Sequence, residues 1–493
     1  MFFAPMFDGV VLMYGRSFRA FVIDFKFRML SMPKKGDLVE LQIDRVASGG
    51  HGVARLDGLV IFVKGAVPGD RVSAAIFKKK KAYAEAKIHE LLTPSSDRIE
   101  APCPYFGICG GCQWQCVTYE RQLEYKRGHV EEALSHIGSL SGIQVHDPIP
   151  SEKRFGYRNK MEFSFSDRPW LPHPPSEKGD RGGFVLGLHV PGTFDKIIDL
   201  EACLLQQERG NEILREVKRL AGESGIPPYG IKSHEGFWRF LTLRHSACLD
   251  EWMVNLVTSE ARNETVLPLA QRLTALFPNV KTVVNNITAK KASIAVGERE
   301  AVLTGDGILQ DRIGAAFFQI SANSFFQTNS LGAEKLYGKV AQFAELRGGE
   351  IVMDLYSGTG TIPIFLARSA RKVIGMEIVE SAVLDARRNC RANGIENCEF
   401  LLGDIRESLT FLRIQPEVMI VDPPRAGMHQ EVLARVLEIG PERIVYVSCN
   451  PATLARDLAL MQERYHIAEI QPVDMFPHTY HIECVAKLER KKR

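Results

Sequence analysis

EIVMDLYSGTGTIPIFLARSA, residues 350–370, joins a strand to a helix through a glycine turn. Its first seven residues are a short, mostly apolar run of strand length, and TIPIFLARSA reads as a helix. Between them SGTG allows a tight turn and close approach of the backbone to a ligand. The alternation continues outward. KVIGMEI is a strand, SAVLDARRNCRANG a helix closed by Gly394, and CEFLLGD, VMIVDPP and RIVYVSC are further strands. HIAEIQPVDM and HIECVAKLER form a final pair. Such alternation from about residue 328 predicts a doubly wound, mostly parallel sheet, in which ligands gather outside the carboxyl ends of the strands.

Residues with chemistry stand at those ends. Only two glycines of a dinucleotide fingerprint are present, so a pyrophosphate is a poor fit. Glu377 ends the next strand, where an acid can accept hydrogen bonds from ribose hydroxyls, and Asp404 ends the third. An adenosyl ligand without pyrophosphate fits this set, which points to S-adenosylmethionine. Asp422-Pro423-Pro424-Arg425 closes the fourth strand with an acid able to accept from a planar base. The fifth ends in YVSCNPATLARDL (446–458), which sets Cys449 before a helix expected from Ala452 to Leu460, with Asn450 as N-cap and Pro451 in its first turn. A thiol there feels the positive end of the helix dipole, and the expectation is a lowered pKa and a reactive thiolate.

With 493 residues the chain has room for two to four domains, and its 45% hydrophobic and 25% charged content is that of an ordinary globular protein. A net charge of +3 excludes a wholly basic coat, so a nucleic-acid surface has to be local; Lys78–Lys81 is the candidate. Residues 33–93 read as a small OB-like barrel with strands Leu38–Val46, Gly58–Val63, Asp70–Lys78 and Ala82–Leu91. A helix is expected over 129–140, mixed and largely antiparallel structure over 145–320, a Pro- and Gly-rich loop from Pro169 to Gly183, and a helix near Gln206–Ala221. Residues 1–31 read as an extension interrupted by charges. No stretch is long and apolar enough to span a bilayer, which gives a cytoplasmic expectation without a membrane partner. No apolar stripe demands a dimer, so a monomer is expected.

The ten cysteines do not look like a secreted disulfide framework. Cys103, Cys109, Cys112 and Cys116 crowd together in CPYFGICGGCQWQC. Three thiolates need a fourth, either Cys116 nearby or the distant Cys203, and soft thiolates suit zinc or an iron–sulfur cluster.

Taken together, SFFQTN (324–329), DLYSGTGT (354–361), IGMEI, VDPPRAG, YVSCNPATLARDL and HTYHIE (478–483) resemble the RNA (uracil-5-)-methyltransferase family, over nearly the whole chain beyond residue 32. The resemblance implies a C-terminal Rossmann-like class I S-adenosylmethionine methyltransferase domain (328–493), an α+β central domain with an iron–sulfur site (94–327) and an N-terminal TRAM RNA-binding β-barrel (33–93). It implies that Gln327, Tyr356, Glu377 and Asp404 bind the cofactor and that Asp422 sits beside cofactor and base. Thr361 stands where some relatives carry Asn. Cys449 would be the nucleophile and Glu483 the proton acceptor; from the residues alone His478 and His481 compete with Glu483 for that role. The cysteine pattern is similar to that of the ribosomal-RNA members, which implies a [4Fe–4S] cluster on Cys103, Cys109, Cys112 and Cys203. The expected partner is RNA rather than DNA, specifically 23S ribosomal RNA, with transfer RNA as the alternative. A radical enzyme using the same cofactor is disfavoured because its usual C-x3-C-x2-C spacing is absent. A non-catalytic RNA-binding role is disfavoured because Cys449 and Glu483 are both present.

Overall fold

The computed structural model describes residues 33–168, 170, 183–292, 294–411 and 413–492. The extension 1–31 lies outside them, as does the Pro- and Gly-rich loop from Pro169 except for Trp170 and Gly183. The chain divides into a unit ending at Pro94 and a larger one of Val46–His51 and Ser95 onward. No helix among the described residues is long and apolar enough to cross a membrane.

The first unit is a six-stranded sheet in the order Leu38–Gln42, Arg71–Lys79, Tyr83–Thr93, Leu59–Lys64, Gly52–Leu56, Arg45–Val46. Its inward face is a core of Ile61, Val63, Val72, Ala74, Ile76, Ala84 and Ala86. The sequence reading missed Gly52–Leu56, whose GVARL pattern is too short and mixed to announce a strand before its hairpin partner supplies the pairing. It also ran one strand from Leu38 to Val46, where the structure breaks it after Gln42.

In the second unit the first helix spans Tyr119–His136, ten residues ahead of the expected start at 129. Gly128 reads as a breaker, yet it lies inside the helix, where a Cβ would meet open space. A seven-stranded sheet follows, in the order Ile197–Asp199, Val185–His189, Lys160–Ser166, Trp238–Ser246, Glu251–Thr258, Val280–Ile287, Arg299–Thr304. It is not wholly antiparallel: Glu251–Thr258 and Val280–Ile287 run parallel. The helix Asn263–Leu276 between them supplies the crossover that a parallel pair needs, and its internal Pro268 hides it from a sequence reading.

The C-terminal sheet has eight strands, in the order Cys398–Leu402, Lys372–Glu377, Ile351–Leu355, Val418–Val421, Arg443–Ser448, Glu483–Arg490, Tyr465–Val473, Gln144–Val145. The first five are mutually parallel, and Glu483–Arg490 runs antiparallel between two neighbours. Both faces are covered, which is why the strands are continuously apolar. Val352, Ile420, Val445 and Val485 pack on one face, Met353, Met419, Ile444 and Tyr446 on the other. Each such side chain contributes roughly 1.5–3 kcal/mol by burial. This rigid core holds the strand ends that carry the site.

Candidate active site

The chain leaves Ile351–Leu355 through Tyr356, a non-glycine residue at φ +69°, and turns at Gly358 and Gly360, both also at positive φ. A side chain at Gly360 would put its Cβ 2.8 Å from Ala386 and Phe400, so only glycine fits there. The turn is pinned by Glu377. Its Oε2 accepts from Gly358 N at 2.9 Å, and its Oε1 accepts from Ile378 N at 2.8 Å and Val379 N at 2.9 Å. Asp404 caps the helix Ile405–Thr410, accepting from Arg406 N at 2.9 Å, and also receives the Arg406 guanidinium at 3.0 Å. Those bonds hold its carboxyl down at about 2. Tyr356, Glu377 and Asp404 line one cavity of about 960 Å³ with Pro424, Met428 and Asp457, the size of a pocket for a nucleoside-like ligand.

Gln327, Thr361 and Asp422 do not line that cavity. They gather around Tyr337, a buried residue of the helix Ser330–Ala344 that the sequence reading missed. Its hydroxyl is 3.0 Å from Thr361 Oγ1 and within hydrogen-bonding reach of Gln327, with Asp422 and Asp354 nearby. In sequence Tyr337 looks like any apolar helix residue. Asp354 did leave a signal, an acid inside an apolar strand. Neither of its oxygens has a hydrogen-bond partner, and burial, then Asp422 and Glu377, push it well above the carboxylate range. Burial likewise raises Asp422 to about 7.

Topology brings Cys449 and Glu483 together. In the ladder between Arg443–Ser448 and Glu483–Arg490, Ser448 opposes Cys484. One step further, where the parallel strand ends and the antiparallel one begins, the next residues are Cys449 and Glu483. Asn450 accepts from Ala452 N at 3.1 Å as the expected cap, and its Nδ2 donates to the Arg425 carbonyl at 3.0 Å. The thiol therefore sits against the Asp422–Arg425 turn. Cys449, Arg425, Tyr480, His481 and Ile482 line a cavity of about 380 Å³.

The expected lowering of the thiol pKa is overturned. Cys449 is pushed up to about 11, by burial first and the Glu483 charge second, while Arg425 pulls the other way. A helix terminus is worth about 0.3–1 kcal/mol, less than one pKa unit, whereas desolvation moves a group by several units. Burial, then Asp422, raises Glu483 to about 8. Burial lowers both histidines to about 4. His478, at φ +67°, is held by the chain around it. Its N donates to Gln122 Oε1 at 2.8 Å, and its carbonyl accepts from Gln113 N at 2.9 Å and Trp114 N at 3.0 Å. The preceding turn is anchored by the buried pair Lys126–Asp474 at 2.6 Å, with Tyr119 donating to Asp474 at 2.8 Å.

Cys103, Cys109, Cys112 and Cys203 line a separate cavity of about 410 Å³; Cys116 is buried and does not. Burial raises Cys109 to about 11 and Cys112 to about 12, with the other thiols of the set adding to it. Among the described residues no group of three or more His, Cys, Asp or Glu is disposed to hold a single metal ion. Zinc at about 2.3 Å from each sulfur would draw the thiolates to roughly 4 Å of one another. The four thiols share the lining of one cavity, and their soft sulfur is of the donor class that iron–sulfur clusters take.

On this doubly wound sheet the glycine turn and the acids at the next two strand ends line a cavity suited to a nucleoside-like ligand, and the thiol lies at the end of the same sheet. Residues 250–491 match the tRNA (uracil-5-)-methyltransferase family and residues 34–89 the TRAM domain. An uncharacterized RNA methyltransferase of Chlorobaculum tepidum is 43% identical over 93% of this chain and 97% of its own length. One of Halalkalibacterium halodurans is 39% identical over 93% and 98%. The crystal structure of the Pyrococcus abyssi tRNA (uracil-54, C5)-methyltransferase in complex with S-adenosyl-L-homocysteine is similar with a TM-score of 0.72 and 31% identity, covering 91% of this chain and all of that one. The chain belongs to the RNA (uracil-5-)-methyltransferase family.

Proposed function

We propose that this enzyme forms 5-methyluridine in 23S ribosomal RNA, with Cys449 as nucleophile and Glu483 as general base. The observation that carries the reading is their juxtaposition at one end of the sheet, with Cys449 on a cavity and Glu483 buried behind it. C5 of uracil is a weak nucleophile. Cys449 gives its proton to solvent in the cavity it lines, and the thiolate adds to C6, leaving an enolate with carbanion character at C5. S-adenosylmethionine would supply the electrophilic methyl; Tyr356, Glu377 and Asp404 line the cavity that would hold it, and Gln327, Thr361 and Asp422 are the further cofactor residues that the family resemblance implies. Glu483 then takes the C5 proton, the C6–S bond breaks, and the thiolate is regenerated. A carboxyl raised to about 8 is a stronger base than an ordinary one, which suits removal of a carbon-bound proton. The target base must leave its stack to admit the thiol.

Ribosomal RNA is supported by the cysteine pattern. Transfer RNA is the second reading, supported by the substrate in the name of the Pyrococcus abyssi neighbour. Incubating 23S rRNA and tRNA transcripts with S-adenosylmethionine and mapping 5-methyluridine by mass spectrometry decides between them. Methylation of the 23S transcript alone is expected; methylation of tRNA alone would overturn the ribosomal assignment.

Cys103, Cys109, Cys112 and Cys203 hold a [4Fe–4S] cluster in this reading. Cys203→Ser should lose iron and acid-labile sulfide, whereas Cys116→Ser should retain both. The reverse result would exchange the fourth ligand.

A further inference from the structure

Methyl transfer balances without electrons, so a cluster in this enzyme has no redox step to serve. Five consecutive residues, Phe155-Gly156-Tyr157-Arg158-Asn159, give it another part to play. At one end they lie along the chain that follows Cys203: Gly156 N donates to Leu204 O at 2.9 Å and Arg158 N to Leu205 O at 2.9 Å. Gln207 Nε2 donates to Gly156 O at 2.7 Å. The Arg158 side chain lines the four-cysteine cavity, and its Nε is buried there without a hydrogen-bond partner.

The same five residues reach both loops that carry the chemistry. Phe155 stacks on His478 at 4.2 Å, and Tyr157 Oη donates to Pro477 O at 3.2 Å, in the turn leading to Glu483. Asn159 holds the start of the helix that follows Gln327. Its Nδ2 donates to Gln327 O at 2.9 Å and to Ser330 Oγ at 2.7 Å, and its N donates to Thr328 O at 2.9 Å. Asn159 is itself clamped by His245 N, which donates to its carbonyl at 2.8 Å. Residues 325–329 have no strand or helix ladder of their own, so their position depends on tertiary bonds of this kind.

We propose that Phe155–Asn159 is a strut through which occupancy of the four-cysteine cavity sets the position of the cofactor loop Gln327–Ser330. Filling the cavity fixes Cys203 and the chain to Gln207. The strut, bonded to that chain, then presents Asn159 to the cofactor loop; emptying the cavity releases the first of these contacts and slackens the last. These are positioning residues, and the inference rests on the cluster reading above.

The test is a double cycle read by S-adenosylhomocysteine affinity rather than turnover, with iron and sulfide measured alongside. Wild type and Asn159→Ala are each titrated with the cluster intact and after its oxidative removal. Cluster removal from wild type should weaken binding about tenfold, and so should Asn159→Ala with its cluster intact. Removing the cluster from Asn159→Ala should then cost less than about threefold further, because of the route to the loop only the backbone bond from residue 159 to Thr328 O remains. Two independent losses multiplying to about a hundredfold would overturn the strut while leaving the cluster in place. So would unchanged affinity in cluster-free wild type. Wild type without iron or sulfide would instead remove the cluster reading and the strut with it. Asn159→Asp, which keeps the size of the side chain but has no Nδ2 to donate to Gln327 O and Ser330 Oγ, serves the same cycle if Asn159→Ala does not fold.

Discussion

Alanine at position 449 should lower RNA methylation by on the order of 10⁴-fold or more, the scale of losing a covalent nucleophile. No other thiol can stand in. Cys484, its neighbour across the ladder, is completely buried in the core. Cys449 is partly exposed beside a cavity, so the substitution should change stability by less than about 1 kcal/mol. S-adenosylhomocysteine binding and the melting temperature should therefore match wild type. That combination separates lost chemistry from lost fold, and it is read by filter-binding of labelled methyl groups beside a calorimetric titration.

Glu483→Gln should fail at a later step. The thiol still adds and C5 still receives its methyl, but nothing takes the C5 proton, so the C6–S bond persists. Turnover should fall about 10²–10⁴-fold, and a denaturation-resistant protein–RNA complex carrying the methyl group should accumulate, which neither wild type nor Cys449→Ala shows. Stability gives a second signature with a definite sign. Glu483 has its carboxyl raised from 4.5 to about 8 in the folded protein. The folded state therefore holds this proton more tightly than the unfolded chain, and the stability linked to it is complete below about pH 4.5 and lost as pH rises towards 8. Glutamine does not ionise. The melting temperature of Glu483→Gln should pull ahead of wild type progressively between pH 5 and 8 and keep a constant lead above that. A lead that shrinks with pH would show that burial does not dominate this carboxyl.

The parts of this site written in contiguous sequence were legible in it. A strand, a glycine turn and a helix are local, so Glu377 and Asp404 could be placed on one rim from their positions at successive strand ends, whereas Tyr356 came only with the family resemblance. The Asn450 cap was legible for the same reason. The pKa of Cys449 was not, because the dipole that lowers it is local while the burial and the carboxylates that raise it come from chain far away in sequence. Tyr337 was hidden by its ordinary spacing in an apolar helix. The grouping of Gln327 and Thr361 around it depends on how that helix packs on the sheet. The Phe155–Asn159 contacts to Leu204, Pro477 and Gln327 were invisible for the same reason, since each joins segments that meet only in the folded chain. Misplaced boundaries have equally concrete causes: Gly128 does not break its helix, and Pro268 is tolerated in the first turns of another.

The central claim is that Cys449 bonds to uracil during the reaction. RNA carrying 5-fluorouridine tests it most directly, because fluorine replaces the one proton that Glu483 would remove and the adduct cannot resolve. Incubation with S-adenosylmethionine, followed by digestion and peptide mapping, should place the nucleotide on Cys449 within Tyr446–Leu458. A stable adduct mapped to any other residue, or methylation of ordinary RNA with no adduct formed on the fluorinated one, would contradict it.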